Sequence, residues 1–520
     1  MLTKKITNAD IVTMDPARPS ARELGIWHGL IVGLDEEVAG LPALEVVDLD
    51  GAAVLPGFID AHVHLVWAGL AARTMSVAPS DSVTSILTTV AEAVADTPLG
   101  GWVELSGYDQ RPLGRHLAAV ELDTVSAGRK VLVTHASGHG CVVNTAVLDQ
   151  LPPGSARMGG FLAEEKMAAA RRLRPPRPLT ELVDAIAHSS RVCRQEGITG
   201  CAEAGLGSSM FAYGSLDGAA FQLALDQGRL AARTQLMVAA DALRPIAAAD
   251  DDLTTHAMSL GLRTGFGDGP LSLGALKVFT DGGMMARTAA LTAPYEGTTN
   301  IGQLQATDRP LTDIIVDGHL AGWQLAVHAI GDRAVDVALD ALAQAQRSRP
   351  RPDARHRIEH AGLVRPDQLR RFASLGVTAV VQPAFLRHFG DDYAAIMGSE
   401  RAPWLYRGRG FIDSGVRLVG SSDRPVADGS PLRAMQFMIE RTSLSGQVIG
   451  PDEGITVEEA LRAYTVDAAH ACHWEDSAGS ISPGKRADLV VLDANPKRVQ
   501  PSGLGDIRVL GTFLAGESDL

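Results

Sequence analysis

The sequence predicts an α/β fold: a distorted (β/α)₈ TIM-type barrel with a small β-sandwich built from both termini and an insertion after the first barrel strand. Across the middle of the chain, short apolar runs alternate with helical stretches, which is the pattern of βα units around a parallel sheet. Both ends instead contain β-like pieces separated by Gly, Asp and Pro turns. A length of 520 residues is enough for one barrel of about 250 residues with additions.

The two ends of the chain have the same kind of sequence pattern. Residues 1–56 contain the β-like pieces ITNADIVTMD, LGIWHGLIVGLD and LEVVDLDGAAVLP, and residues 477–520 contain SISPGKRADLVVLDANP and IRVLGTFLAG. Strands of this kind, bounded by turn residues, favour an antiparallel sandwich. We therefore predict a discontinuous β-sandwich domain, 1–56 plus 477–520, and a barrel domain over 57–476.

Eight apolar runs are the predicted barrel strands: FIDAHVH, GITGCAEAG, RTQLMVAA, LSLGALKVF, WQLAVHAI, RHRIEHA, GVTAVVQP and VRLVGSSD. Helical stretches lie between them. In LTELVDAIAHSSRVCRQEG, the apolar residues Leu182, Val183 and Ile186 share one helical face, and Gly197 stops the helix.

An insertion separates the first two barrel strands. A βα unit needs only about 30 residues, but the gap here is several times longer, and we place the insertion at about 66–180. An insertion at this position would suit a lid or a wall of the substrate site, because binding residues gather on loops carried by a rigid scaffold.

Charge and cysteine content exclude several function classes. The formal net charge of -14 disfavours nucleic acids and anionic membrane surfaces. No apolar run approaches the about 18 residues of a membrane span, and the N-terminus lacks the apolar core of a signal peptide. The four cysteines are too scattered for a disulfide framework or a thiolate zinc site. We expect a cytoplasmic protein that acts on a small molecule.

Polar residues stand where predicted strands end. His62 and His64 end the first strand, and their i, i+2 spacing puts both imidazoles on one side of it. His328, His360 and Asp423 follow later apolar runs. The carboxyl ends of parallel barrel strands share one rim, where catalysis occurs in this architecture. Any single histidine at a strand end is more often structural, but the combination predicts a metal site.

Lys277 is the sixth candidate ligand. It lies inside LSLGALKVF, and alternation along the strand aims it toward the barrel interior, away from Leu276 and Val278. A buried ammonium is costly and cannot bind a cation. A lysine that has reacted with CO₂ presents an anionic carboxylate instead, so we hypothesise N6-carboxylysine at Lys277.

Several motifs resemble the amidohydrolase superfamily, in its branch of YtcJ-like metal-dependent hydrolases and N-substituted formamide deformylases. They are VLPGFIDAHVHL, the DG after KVFT, HAIGDRAV, RIEHAGL, GSSDRPV and PGKRADLVVLD, and together they extend over nearly the whole chain. The resemblance implies the same barrel and terminal β-sandwich. It also implies a homodimer or a larger homo-oligomer.

The resemblance further implies a two-metal centre. His62 and His64 would bind a buried ion with Asp423, His328 and His360 would bind a more exposed ion, and Lys277 would bridge them. Zn²⁺ is the expected metal, although His and carboxylate ligands also accept other divalent ions. Mononuclear deaminases of the superfamily carry HxxE after this third histidine, where this chain has His328 followed by Ala-Ile-Gly-Asp.

These residues predict hydrolysis of a C–N amide bond in a small molecule, an N-substituted formamide or a similar secondary amide. A divalent ion would activate water, and Asp423 would act as the catalytic acid and base. Three alternatives stay open: a deaminase of a cyclic amidine or heterocycle, an ester or phosphotriester hydrolase, and a non-catalytic scaffold relative. Lys277 and the missing HxxE disfavour the deaminase.

Four residues outside the metal shell are candidate substrate contacts, and each has a structural alternative. His139, in THASGHG, resembles a family position that faces substrate, but it could cap its loop. Arg287 could orient a carbonyl or an anionic group, although a surface ion pair is commoner. Gln382 ends the seventh strand and could bond only to backbone. Trp67 could line an apolar pocket or simply fill the core.

Overall fold

The computed structural model describes residues 1–152, 159–207, 216–249 and 252–520, and the chain begins with seven short strands. They are β1 (Leu2–Thr7), β2 (Asp10–Val12), β3 (Ser20–Ala21), β4 (Leu24–Trp27), β5 (Leu30–Leu34), β6 (Ala43–Asp48) and β7 (Ala53–Pro56). Strands β5, β4, β1 and β6 form one sheet in that order. The first barrel strand, β8 (Phe58–Val63), follows directly.

The segment after β8 contains a sheet of its own. Its elements are α1 (Leu65–Ala71), α2 (Val83–Ala95), β9 (Trp102–Tyr108), α3 (Ala119–Ser126), β10 (Lys130–His135), β11 (Gly140–Val143), α4 (Thr145–Leu148), β12 (Phe161–Ala163) and α5 (Glu165–Arg172). The four strands are ordered β12-β11-β10-β9. Residues 153–158 of the predicted insertion lie outside the described residues.

The remaining barrel strands lie where the eight apolar runs predict them. They are β13 (Ile198–Leu206), β14 (Arg233–Ala239), β17 (Leu271–Phe279), β18 (Leu325–Ala329), β19 (Arg357–His360), β20 (Thr378–Val381) and β21 (Leu418–Gly420); β15 (Arg244–Pro245) and β16 (His256–Ala257) form a separate small ribbon. The barrel strands pair in parallel in the order β8-β13-β14-β17-β18-β19-β20-β21. The predicted barrel is confirmed.

Helices cover the outside of this sheet. They are α6 (Leu179–Gln195), α7 (Asp217–Asp226), α8 (Leu311–Leu320), α9 (Asp332–Ser348), α10 (Pro366–Leu375), α11 (Pro383–Arg401), α12 (Arg409–Asp413), α13 (Pro431–Glu440), α14 (Val457–Ala463) and α15 (Val466–Ala471). Leu182, Val183 and Ile186 of α6 are buried, as their spacing predicts. Within the described ranges, no helix combines the length and the apolar character that crossing a bilayer requires.

The last strands join the first ones in the sandwich that the end segments predict. These are β22 (Leu489–Leu492), β23 (Val509–Leu514) and β24 (Glu517–Ser518), and they continue into β7, β2 and β3 as one sheet. One core contains Ile6, Leu24 and Val54 from the N-terminal end together with Leu489 and Phe513 from the C-terminal end. Burial of this shared apolar surface keeps the two ends together.

Hydrogen bonds close the barrel between its first and last strands. The Asp423 amide donates to the His62 carbonyl at 2.8 Å. The Asp60 carboxylate accepts from the Ser422 amide at 3.0 Å and from the Ser422 hydroxyl at 2.5 Å. All four residues are buried. This closing seam, as we call the contacts of Asp60, His62, Ser422 and Asp423, joins the strand that carries the paired histidines to the segment that carries the aspartate.

Replacement of Ser422 by Ala tests the seam. The substitution removes the hydroxyl donor and leaves one oxygen of the buried Asp60 carboxylate without it, which costs about 1–3 kcal/mol. We expect the free energy of unfolding, measured by urea titration, to fall by that amount. Ser374→Ala, at an exposed helical serine, should change stability little. Equal stability of the two variants would show that the Ser422 hydroxyl contributes nothing to closure.

Candidate metal centre

Three ligand atoms converge at the carboxyl end of the barrel. Asp423 Oδ1 lies 3.2 Å from His64 Nε2 and 3.5 Å from His62 Nε2. The ligand atoms of these three buried residues all lie within 4.8 Å of one another. Two imidazoles and a carboxylate at this separation have the composition of a Zn²⁺ site, in which further positions stay open to water or substrate. The residues present therefore fit a divalent metal.

Backbone conformation helps to aim two of the candidate ligands. Asp423 has φ 54° and His360 has φ 71°, both in the left-handed region. Non-glycine residues rarely adopt this conformation, which costs energy and occurs preferentially at functional sites. His360 is the last residue of β19 and Asp423 comes shortly after β21, so the left-handed conformation directs each side chain where its strand ends.

A buried carboxylate orients His62. Its Nδ1 lies 2.5 Å from Glu359 Oε2, and Glu359 Oε1 accepts from Arg357 Nε, also at 2.5 Å. With Nδ1 engaged, Nε2 is the nitrogen that faces Asp423. Burial holds the pKa of His62 well below its usual range, and the nearby Lys277 lowers it further. The imidazole is therefore neutral, which is the form that binds a metal.

His328 and His360 lie beside this cluster. Their ring centroids are 4.5 Å apart, and the ring of His360 is 4.9 Å from that of His62. His360 Nδ1 contacts Gln382 Oε1 at 2.8 Å, which leaves Nε2 to face the site. His328 Nε2 lies 3.4 Å from Asp281 Oδ1. Burial lowers the pKa of both histidines well below the usual value.

Lys277 reaches the same centre from β17. Its Nζ lies 3.4 Å from His62 Nε2 and 5.0 Å from the centroid of the Phe279 ring. The side chain is 1% exposed. Burial lowers the pKa of Lys277 to about 8, although Glu359 and Asp423 act in the opposite direction. The structure thus brings all six predicted ligands into one cluster.

Sequence reasoning missed several carboxyl groups that support this cluster. Asp281 accepts hydrogen bonds from the amides of Ile330, Gly331 and Ala290 at 2.8 to 3.0 Å, and burial raises its pKa to about 7. It therefore ties the loop after β17 to the loop after β18. In the sequence, Asp281 could have been found from the Asp-Gly pair that follows KVFT, and Glu359 from its position next to His360 in RIEH.

The candidate substrate contacts divide into two groups. His139 lies at the site, with its ring centroid 5.3 Å from that of His328 and Nδ1 3.2 Å from Glu164 Oε2. The Trp67 ring centroid is 5.6 Å from that of His64. These two residues bring the insertion and the first barrel loop to the metal cluster.

The other two candidates are held by protein groups. Both terminal nitrogens of Arg287 bind the Asp392 carboxylate, at 2.6 and 2.9 Å. Gln382 accepts from His360 and donates to the Ser421 hydroxyl at 2.9 Å. Gln382 therefore contacts a candidate ligand directly and has the geometry to orient it.

A cavity of about 840 Å³ lies between the insertion and the barrel rim. None of the six clustered residues lines it, but Trp67 does, and its ring lies near His64. Val426, whose amide donates to the Asp423 carbonyl at 2.9 Å, lines it from the other side. Much of the remaining wall is apolar, including Val77, Ile86, Phe389 and Leu444. The cavity has the size and lining of a small-molecule site.

Comparisons with known proteins agree with this geometry. The amidohydrolase family model matches residues 45–518. The chain is 28% identical to the N-substituted formamide deformylase of Arthrobacter pascens, over 98% of this chain and 97% of that protein. It is 26% identical to the putative amidohydrolase YtcJ of Bacillus subtilis, over 93% of this chain and 92% of that protein.

A solved structure has the same fold over nearly its whole length. It is an uncharacterized metal-dependent hydrolase from Pyrococcus horikoshii, with a TM-score of 0.76 and 26% identity over 96% of this chain and 99% of that one. The family model, the full-length relatives and the histidine–aspartate cluster lead to one conclusion: the chain belongs to the amidohydrolase family of metal-dependent hydrolases.

Proposed function

We propose that this amidohydrolase cleaves the C–N bond of a small N-substituted formamide or a similar secondary amide. The observation that carries the proposal is the contact of one Asp423 oxygen with both His62 and His64 at the carboxyl end of the barrel. The full-length similarity to a protein named as an N-substituted formamide deformylase supports the substrate class.

The clustered residues divide into two ligand sets. His62, His64 and Asp423 would hold one Zn²⁺ ion, and His328 and His360 would hold a second, with Lys277 between them. Bound divalent metal supplies Lewis acidity, which lowers the pKa of water toward neutrality and polarises a carbonyl oxygen.

Lys277 would contribute as a carbamate. Its neutral Nζ attacks the carbon of CO₂, a C–N bond forms, and one proton is released to solvent. The product is an anion with two oxygens, which divalent ions held by the neighbouring histidines and Asp423 would neutralise, whereas an ammonium would repel them. Burial of Nζ among imidazoles favours the neutral amine that this reaction needs.

Asp423 would move the proton. During hydrolysis, the attacking water forms a bond to the formyl carbon and gives one proton to the Asp423 carboxylate. Asp423 then delivers that proton to the amide nitrogen as the C–N bond breaks. The immediate products are formic acid and an amine, and the acid then gives its proton to the amine, which leaves formate and an ammonium ion. The histidines cannot readily substitute for Asp423, because burial lowers their pKa and so opposes the positive charge that an imidazole acquires when it accepts a proton.

The cavity beside Trp67 would hold the substituent on the substrate nitrogen. Its apolar wall, which includes Phe389, Val77 and Val426, favours an aromatic or alkyl group over a charged one. His139, from the insertion, would face the formyl end of the substrate. Arg287 is paired with Asp392, so it would act mainly by fixing α11 against the loop after β17.

Turnover of a substrate panel tests the proposed function. We expect release of formate and amine from N-substituted formamides, measured with metal content in parallel. Acylamines, lactams and aminoheterocycles in the same panel address the other reaction types. Ammonia release from an aminoheterocycle, with no turnover of any amide, would overturn the proposal in favour of a deaminase.

Asp423→Asn tests the proton-transfer role. The amide keeps the size of the side chain and one oxygen for the metal, but it cannot accept the proton, so we expect near-normal metal content and a kcat lower by about 10²–10⁴-fold. Asp149→Asn, at an exposed aspartate of the insertion, is the matched control. Substantial residual turnover by Asp423→Asn would contradict the assignment.

Lys277→Ala tests the carbamate. We expect the variant to lose metal, and short carboxylic acids such as acetate to restore part of it by occupying the place of the carbamate. Mass analysis of the unmodified protein under gentle conditions should show the mass of one added CO₂. Replacement of the exposed Lys166 by Ala should leave metal content unchanged. Full retention of both metals by Lys277→Ala, with no effect of acetate, would exclude a bridging role.

A further inference from the structure

A second cavity opens at the other mouth of the barrel. It has a volume of about 380 Å³ and lies among the starts of the strands, between Gln235, Ser272 and Gln324 and the turn that contains Trp474. Ser272 and Lys277 are on the same strand, five residues apart, so this mouth lies about 16 Å from the metal cluster. The cavity is therefore separate from the proposed catalytic site.

Three arginines line this cavity without a carboxylate partner. Arg263 makes no side-chain hydrogen bond and no ion pair with any part of the chain that the structure describes. Arg351 donates to the carbonyls of Trp323, His319 and Gly322 at 2.8 to 2.9 Å. Arg486 donates to the backbone carbonyl of Asp268 at 2.9 Å. Arg263 is exposed and Arg351 and Arg486 are partly buried, so they give the cavity wall a local positive charge in a protein whose net charge is -14.

Two of these guanidinium groups border the same glycine. A Cβ on Gly322 would stand 2.6 Å from Arg263 Nη1, and Arg351 Nη2 donates to the Gly322 carbonyl at 2.9 Å. Burial lowers the pKa of Arg351, and the charge of Arg263 adds to that effect. The two like charges therefore repel each other, and an anion placed between them would relieve the repulsion.

The carboxylates in the lining do not neutralise the arginines. Asp353 is engaged by Arg355, with 2.6 Å between Oδ1 and Nε. The Asp268 side chain makes no ion pair in the described part of the chain. Its charge raises the pKa of Arg486, but burial lowers that pKa more strongly. The three guanidinium groups therefore outnumber the one lining carboxylate that is not engaged.

The floor of the cavity is closed by two buried amides. Gln235 Nε2 donates to the Cys472 carbonyl at 2.9 Å, and Gln324 Nε2 donates to the carbonyls of Ala471 and Arg355 at 2.8 and 2.7 Å. These bonds fix which end of each amide is oxygen. Both Oε1 atoms are buried and have almost no accessible surface, so a molecule in the cavity does not reach them. The polar groups that a ligand can contact are therefore the arginines of the wall.

We propose that this cavity binds a small organic anion, a carboxylate or a phosphate. Its anionic group lies between Arg263 and Arg351, which can bind it through their N–H donors. Its body packs beside Trp474. A volume of about 380 Å³ is within the range of small-molecule sites.

Binding of citrate and of inorganic phosphate to the purified full-length enzyme tests this site. Citrate tests an organic carboxylate, and phosphate tests a compact inorganic anion. At constant ionic strength, calorimetry should show saturable binding of at least one probe. The fluorescence of Trp474 should change over the same range, and this change should be absent in Trp474→Phe. Loss of the Arg263 contact in Arg263→Ala should weaken that binding by about tenfold or more.

Arg347→Ala is the matched control, because Arg347 is exposed on α9 and lies outside the cavity lining. It should bind the probes as the unsubstituted protein does. Arg263→Lys, which keeps the charge but not the paired donors, should weaken binding less than Arg263→Ala. The proposal would be overturned if the response to the salts did not saturate and was equal in all variants. Excluded anions act on proteins in that general way. None of these measurements depends on turnover.

Discussion

Closure of the barrel is the constraint on which the rest of this structure depends. The closing seam joins the first barrel strand to the last one through the backbone of His62 and Asp423 and through Asp60 and Ser422. Two of the three clustered residues His62, His64 and Asp423 are thus also partners in the seam. A shift of one strand past the other would turn side chains to the opposite face, so closure and ligand geometry are set together.

A second constraint is the burial of many polar groups at one end of the barrel. Each buried imidazole or carboxyl is costly unless it has a hydrogen-bond partner. Glu359 meets this need for His62, Gln382 for His360, and the backbone around Ile330 for Asp281. These contacts also determine which ring nitrogen faces the centre, so the bonds that stabilise the polar cluster are those that orient it.

The two ends of the barrel differ in chemistry. The carboxyl end gathers imidazoles and carboxylates beside an apolar cavity, whereas the amino end gathers guanidinium groups around a polar one. The insertion contributes His139 at the carboxyl end only. Strands of the barrel connect the two ends, and their core of small side chains, such as Ala202, Ala275 and Ala326, separates one cavity from the other.

The sequence by itself determined the barrel strands and the six clustered residues, because both follow from local rules. A buried parallel strand is a short apolar run, and a polar residue at its carboxyl end reaches the common rim. Only the tertiary structure decided which groups bind each side chain. Asp392 holds Arg287, Glu359 holds His62 across 297 residues of sequence, and unpaired arginines meet beside Gly322. Such pairings depend on how distant segments pack after closure, and no local pattern in the chain encodes them.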